Sequence, residues 1–296
     1  MLAYFKLIRV KHWVKNLFIF IPLFFAGQVF TLDLYARLIP GFFAFSFVAS
    51  AIYILNDYKD REVDRLHPKK KLRPLASGDA NLTVSLILMS FLILGGLTLA
   101  WSLNPAFFAV LSIYLVINIA YTYGLKNVAI LDIFLVASGF LFRVYSGGIL
   151  VDVAISHWLA IMIMLLSLFL ALAKRRDDLV IGKNGGGVLR KSSRNYNLVF
   201  INSCLTLFAG IIIVAYIMYT VSPEVTERLK TEWLFATTVF VVAGLMRYLQ
   251  ITFVEEDSGS PTSLLLRDKF LIVTLLAWII SFYLIIYIIP SASSSL

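Results

Sequence analysis

Residues 51–78 read AIYILNDYKDREVDRLHPKKKLRPLASG. An apolar run ends inside this stretch, and Asn56, Asp57, Asp60 and Asp64 follow at its end. Asn56, Asp60 and Asp64 are spaced i, i+4, i+8, and Asp57 stands three residues before Asp60. A helix that continues past the apolar run places all four on nearly one face, because residues three and four apart lie one above the other. Four oxygen-bearing side chains on one face suit a hard cation. Mg²⁺ takes one or two carboxylates and fills its shell with water and substrate phosphates. It can then bridge a diphosphate and neutralise the charge on a leaving group. The plainer reading is a solvated acidic stretch that balances Lys59, Arg61 and Arg65. Against it stand the shared stripe and its place at the end of an apolar run, where a lipid head group would lie.

The rest of the chain makes that apolar run one of many. Hydrophobic residues are 60% of the 296 and charged residues 15%. Soluble domains are nearer half apolar and a quarter charged. The excess sits in runs of about 20 residues, the length that crosses a bilayer core. Nine spans are expected, at 14–31, 37–56, 81–102, 105–122, 128–150, 156–173, 196–220, 232–251 and 270–290. Of the 26 Lys and Arg, 22 fall on the side of the N-terminus, three on the opposite side, and Arg143 lies within a span. Basic residues collect on the cytoplasmic side of membrane proteins. The N-terminus and the two long basic loops are therefore expected inside, and the C-terminus outside, in the cell membrane. The expected class is an all-α membrane protein, a single domain over 1–296. Residues 1–13 form an interfacial N-terminal segment, retained and not cleaved as a signal peptide, and 291–296 a loose tail. The single cysteine, Cys204, excludes a disulfide framework. The net charge of +9 does not point to nucleic acid, because the basic residues flank apolar spans instead of forming one basic face.

NDxxDxxxD followed by HPxKxxRPLASG resembles the first signature of the UbiA superfamily of intramembrane prenyltransferases. Here it is carried by Asn56, Asp57, Asp60, Asp64, His67, Pro68, Lys70, Arg73 and Pro74. The resemblance implies a bundle of nine transmembrane helices, an active site at the cytoplasmic side and Mg²⁺ as cofactor. Prenyl-transferring members carry a second acidic motif of DxxxD type after the sixth span. This chain has LALAKRRDDLVIGKNGG at 170–186, with Asp177 and Asp178 adjacent. Adjacent helical residues point about 100° apart and cannot chelate as i, i+4 pairs do. The 174–195 loop is basic, with Lys174 and Arg175 expected to meet an anion.

That departure is similar to the branch that moves phosphoribose. Its matching stretches are KHWVKN at 11–16, YTYGLKNVAILDIFLVASGFLFRVYSGG at 121–148, LALAKRRDDL at 170–179, RKSSRNYNLVF at 190–200 and SLLLRDKF at 263–270. The resemblance implies transfer of 5-phosphoribose from phosphoribosyl pyrophosphate to a polyprenyl phosphate, with release of pyrophosphate. In some bacteria this product feeds arabinose-containing cell-wall glycans. Both substrates are anionic, and the nucleophile is already a phosphate, so no strong general base is needed. Asp57 and Asp60 are the candidates for stabilising positive charge at the anomeric carbon, in competition with metal duty. Substrate-binding candidates are Lys11, Lys15 and Asn16 at the first span, Lys70 and Arg73 in the signature loop, Tyr123 and Lys126 in a tight inner loop, and Asp132 near the inner end of the fifth span. Arg143 is read as either snorkelling or closing a helix contact, and Asp268 as a structural pair or a pocket residue. The alternative within the fold is transfer of a prenyl group to an aromatic or other small acceptor. A lipid transporter fits less well, since only Asp132 and Arg143 are ionisable deep in the spans. A homo-oligomer is compatible with the chain.

Overall fold

The computed structural model describes residues 2–66, 70–183, 195–256, 264 and 267–288. His67 and Pro68 of the signature, 184–194 of the second basic loop, Ser263, Leu265, Leu266 and the tail 291–296 lie outside the described residues. Among the described residues the elements are helical and no strand occurs. The chain divides into two compact units, Met1–Ile155 and Ser156–Leu296.

The first unit contains α1 (Leu2–Leu7), a 3₁₀ segment (Val10–Phe20), α2 (Ile21–Phe25), α3 (Tyr35–Arg65), α4 (Pro74–Ser77), α5 (Leu82–Leu103), α6 (Pro105–Tyr123) and α7 (Leu131–Val151). α3 is central, packed by α5, α6, α7 and the 3₁₀ segment. Its core partners include Ile19, Leu23, Phe107, Leu111 and Leu150. α3 and α5 come close because Gly96 has no Cβ; one placed there would meet Ala44 O at 2.9 Å and Val48 Cγ2 at 2.8 Å. Asn81 caps α5 by accepting from Val84 N at 3.2 Å, and Asn104 caps α6 ahead of Pro105. The 31 residues of α3 rise about 46 Å, against a hydrocarbon core of about 30 Å. The excess is roughly ten residues, so α3 is long enough to carry Asp57, Asp60 and Asp64 beyond an apolar layer that it crosses.

The second unit contains α8 (His157–Lys183), α9 (Leu198–Val221), α10 (Pro223–Leu229), a 3₁₀ turn (Trp233–Thr237), α11 (Thr238–Phe253) and α12 (Lys269–Tyr287). α8 packs on α9, and α11 on α9 and α12. Tyr216 Oη ties three elements together: it lies 2.6 Å from Thr237 Oγ1 and accepts from Trp278 Nε1 at 2.7 Å. Asp268 caps α12 by accepting from Leu271 N at 2.9 Å, and its other oxygen accepts from Arg247 at 2.7 Å. The sequence reading ends the sixth span at 173, but α8 runs on to Lys183, so Lys174–Lys183 is helix and not loop.

Among the described residues, eight helices are long and apolar enough to cross a membrane, and they coincide with the second to ninth expected runs. The chain is a multi-pass membrane protein. The first expected run, 14–31, is built differently. It lies across the 3₁₀ segment and α2, with Pro22 at the start of α2 and Gly27 in the left-handed region (φ 69°) just after it. A 3₁₀ helix rises about 2.0 Å per residue, so Val10–Phe25 measures roughly 30 Å despite its few residues. Its side chains sort with a period of three, as 3₁₀ geometry requires. Trp13, Asn16 and Ile19 turn inward, and Lys11, Val14 and Leu17 are exposed. Trp13 Nε1 donates to Ser50 Oγ at 3.0 Å, and Asn16 Nδ2 to Ser46 Oγ at 2.8 Å.

Candidate active site

The site grows from the meeting of the N-terminal segment with the end of α3. α1 is anchored through Leu7, which packs with Ile54, Leu75 and Ala80. Between α1 and the 3₁₀ segment, Arg9 takes the left-handed conformation (φ 52°, ψ 49°), which costs a non-glycine residue about 1 kcal/mol or more. The kink delivers the Arg9 guanidinium to Asp57 Oδ1 at 2.5 Å and over the Tyr53 ring at 4.8 Å. Arg9 entered the sequence reading only as one of the positive residues that orient the chain. Nothing in its local pattern marked it as an ion-pair partner of a residue 48 positions away.

Each acid of the stripe meets a cation. Arg73 Nη1 lies 2.6 Å from Asp64 Oδ2 and 3.2 Å from Asp57 Oδ1. Lys126 Nζ lies 2.6 Å and 2.8 Å from the two oxygens of Asp60. Asn56 faces α6 and accepts from Thr122 Oγ1 at 2.9 Å. Asp57 and Asp64 are 2% and 3% exposed. A carboxylate so enclosed stays charged only with close cations or several donors, and Asp57 has two arginines.

The Asp57 side of the stripe opens into a cavity of about 660 Å³ lined by α1, the start of the 3₁₀ segment and residues 70–74. Its charged and basic lining is Lys6, Arg9, Lys11, His12, Lys70 and Arg73 against the single carboxylate of Asp57. Phe5, Val10, Leu72 and Pro74 supply the apolar wall. The volume is that of a small-molecule site, and the charge is that of an anion site.

The structure thus brings Asp57, Asp64, Lys11, Lys70 and Arg73 of the expected set around one place, and joins Asp60 to Lys126. Tyr123 is 59% exposed and carries Lys59 Nζ over its ring at 5.0 Å. Asp132 is fully buried in the first turn of α7. Lys15 is half-buried one residue before Asn16. Asn16 itself is buried, with both ends of its carboxamide engaged by protein: Nδ2 on Ser46, and Oδ1 accepting from Arg143 Nε at 2.7 Å. Arg143 closes a helix contact and does not snorkel. It donates to Asn16, to Gly139 O and, at 3.2 Å, to Tyr114 Oη, and its guanidinium lies 4.7 Å from the Phe45 ring centre. In the second unit, Lys174 and Arg175 stand on α8, where Arg175 pairs with Asp178 at 3.0 Å and Arg176 donates to Asn202 Oδ1 at 3.0 Å.

The donor set fits Mg²⁺. One nitrogen of Arg73 already bridges Asp57 and Asp64, so the two carboxylates stand close enough to share a cation. All four side chains offer hard oxygens. Among the described residues no group of three or more His, Cys, Asp or Glu gathers as a metal cage. A pair of carboxylates completed by substrate phosphates is the arrangement Mg²⁺ favours.

The profile of the UbiA prenyltransferase family matches residues 16–194. The decaprenyl-phosphate phosphoribosyltransferase of Mycolicibacterium smegmatis is 32% identical over 287 residues, covering 93% of this chain and 89% of that one. The protein of the same name from Corynebacterium glutamicum is 30% identical, covering 96% and 87%. Among solved structures, a UbiA homologue from Archaeoglobus fulgidus bound to DMAPP and Mg²⁺ superposes with a TM-score of 0.69 at 17% identity, over 97% of this chain and 99% of that one. The same homologue bound to GPP and Mg²⁺ gives 0.71. The nine-residue acidic signature, the helical bundle that presents it and these matches along nearly the whole length agree: the chain belongs to the UbiA prenyltransferase family.

Proposed function

We propose that this protein transfers 5-phosphoribose from phosphoribosyl pyrophosphate to a polyprenyl phosphate of decaprenyl type, with release of pyrophosphate, at the cytoplasmic face of the cell membrane. The observation that carries the reading is the cavity beside Asp57, whose five Lys and Arg face one carboxylate. A prenyl donor calls for an apolar channel behind its diphosphate. A phosphosugar diphosphate calls for cations at both ends, and five of the eleven residues that line this cavity are Lys or Arg. The relatives at 30–32% identity carry the corresponding name.

In this mechanism an oxygen of the lipid phosphate forms a bond to the anomeric carbon as the bond from that carbon to pyrophosphate breaks. Both electrons of the broken bond leave with pyrophosphate. Asp57 and Asp64, with Asn56 and Asp60 along the same stripe, would hold Mg²⁺, which would supply charge neutralisation on the leaving diphosphate. Arg9 and Arg73 stand at the carboxylates, ready to turn toward phosphate oxygens; arginine binds them in bidentate fashion. Lys126 holds Asp60, which leaves that carboxylate near the site as charge is created at the anomeric carbon, as in other glycosyl transfers. No residue need remove a proton, because the acceptor is an anion. The fixed charges of the stripe and of its arginines provide most of the acceleration.

The sidedness follows from the 22-to-three distribution of Lys and Arg. The chain is read as one membrane domain of nine crossings, with the 3₁₀ segment and α2 making the first. The test is incubation of purified protein with phosphoribosyl pyrophosphate, a polyprenyl phosphate and Mg²⁺. Pyrophosphate release that depends on the lipid supports the reading, and turnover of a prenyl diphosphate in its place rejects it.

A further inference from the structure

The cavity contains cations of two kinds. Arg9 and Arg73 are engaged by Asp57 and Asp64. Lys6 and Lys11 line the same cavity, and neither has a hydrogen-bond or ion-pair partner among the described residues. They flank the left-handed kink at Arg9, Lys6 in the last turn of α1 and Lys11 at the start of the 3₁₀ segment. The chain turns between them: Arg9 N donates back to Lys6 O at 3.3 Å, and His12 N to Arg9 O at 2.8 Å, and both lysines line the cavity. Lys70 joins the lining from across the cavity, in the turn that leads to Arg73.

The lining therefore holds two arginines engaged at Asp57, where a metal-bound diphosphate fits, and two lysines, Lys6 and Lys11, that are not engaged by a carboxylate and can meet a second anion. We propose that Lys6 and Lys11, with Lys70, form a separate metal-independent subsite for the terminal 5-phosphate of the donor. This subsite selects a phosphosugar diphosphate over a prenyl diphosphate. The proposal rests on the donor reading given above and adds to it the residues that recognise the sugar-phosphate end. Lysine suits that role as a mobile point charge with three donors. The apolar Phe5, Val10, Leu72 and Pro74 lie along the same walls, where they can pack on the ribose carbons.

The test compares wild-type protein with K6A/K11A and K6R/K11R, each purified and reconstituted in lipid nanodiscs. Initial rates are measured against phosphoribosyl pyrophosphate and against the lipid phosphate, with ribose 5-phosphate and pyrophosphate as separate inhibitors. A charge-assisted hydrogen bond is worth about 1.5–3 kcal/mol, roughly tenfold to a hundredfold. The expected result is a donor KM raised by at least about tenfold in K6A/K11A, with the lipid KM unmoved. Ribose 5-phosphate should compete with the donor in wild type and lose that competition in K6A/K11A, while inhibition by pyrophosphate persists. K6R/K11R should restore most of the donor affinity. An unchanged donor KM in K6A/K11A, or equal inhibition by ribose 5-phosphate in both proteins, overturns the subsite. If wild type turns over no phosphoribosyl pyrophosphate at all, the donor reading fails first, and the subsite with it.

Discussion

Replacing Arg73 by Met keeps most of the side-chain volume and removes the charge that two buried carboxylates share. Arg73 Nη1 stands 2.6 Å from Asp64 and 3.2 Å from Asp57. At an effective dielectric of about 20 these distances correspond to gross attractions of about 6 and 5 kcal/mol. Desolvation of the three groups offsets most of that, and removing one partner of a buried pair costs a net 3–5 kcal/mol or so. The Arg73 side chain is 26% exposed, which argues for the lower end, about 3 kcal/mol. Asp57 retains Arg9, but Asp64 loses the partner that faces it. Melting temperature in detergent with a chelator should then fall by roughly 6–12 °C. Mg²⁺ provides the sharper comparison. In wild type it competes with Arg73 for the two carboxylates, and in Arg73→Met only Arg9, at Asp57, still competes. Added Mg²⁺ should therefore raise the melting temperature of the variant more than that of wild type, by mass action on the folded state. If Arg73→Met melts with wild type in chelator, or if Mg²⁺ stabilises wild type at least as much as the variant, the shared-cation account of Asp57 and Asp64 is wrong.

Three further outcomes are expected. Asp57→Asn should lower turnover by about 10²–10³-fold, the several kcal/mol a metal contributes to a charged transition state, and chelation should abolish wild-type activity reversibly; turnover kinetics check both. Arg143→Lys should cost about 3 kcal/mol of stability, because a lysine cannot reach Asn16, Tyr114 and Gly139 together; thermal melting and limited proteolysis of the N-terminal segment measure it. Asp268 is held below its ordinary value of 3.8, chiefly by the hydrogen bond from Arg247. A carboxylate lowered on folding contributes stability in full above 3.8 and loses it as pH falls through the lower folded value. Acid melting curves of Asp268→Asn should thus be flatter than wild type below pH 3.8 and parallel to it above.

Much of this architecture is legible in the sequence, for identifiable reasons. Runs of about 20 apolar residues leave few options in a bilayer, where backbone groups must be satisfied within the segment, so the eight long apolar helices among the described residues fall where hydropathy puts them. The stripe at Asn56, Asp57, Asp60 and Asp64 is readable because helical spacing is local. The 3₁₀ path of Val10–Phe20 is not, because hydropathy averages over the difference between a period of 3.0 and one of 3.6, and only the structure shows Trp13, Asn16 and Ile19 turned inward together. Arg9 and Lys6 escaped for another reason. A basic residue that orients a membrane protein and one that lines an anion cavity look alike until the left-handed turn at Arg9 sets Arg9 at Asp57 and both residues in the lining of one cavity. Asn16 shows another side of this: its position among lysines suggests phosphate, and the structure adds that its amide is engaged by Ser46 and by Arg143, 127 residues away.

The central claim is most directly tested by following the label of phosphoribosyl pyrophosphate carrying a labelled ribose, mixed with purified protein, polyprenyl phosphate and Mg²⁺. The account predicts that label moves into the lipid fraction in step with pyrophosphate release, and that neither occurs in Asp57→Asn. Label that stays in the aqueous fraction while a prenyl diphosphate is consumed with a small acceptor would contradict it.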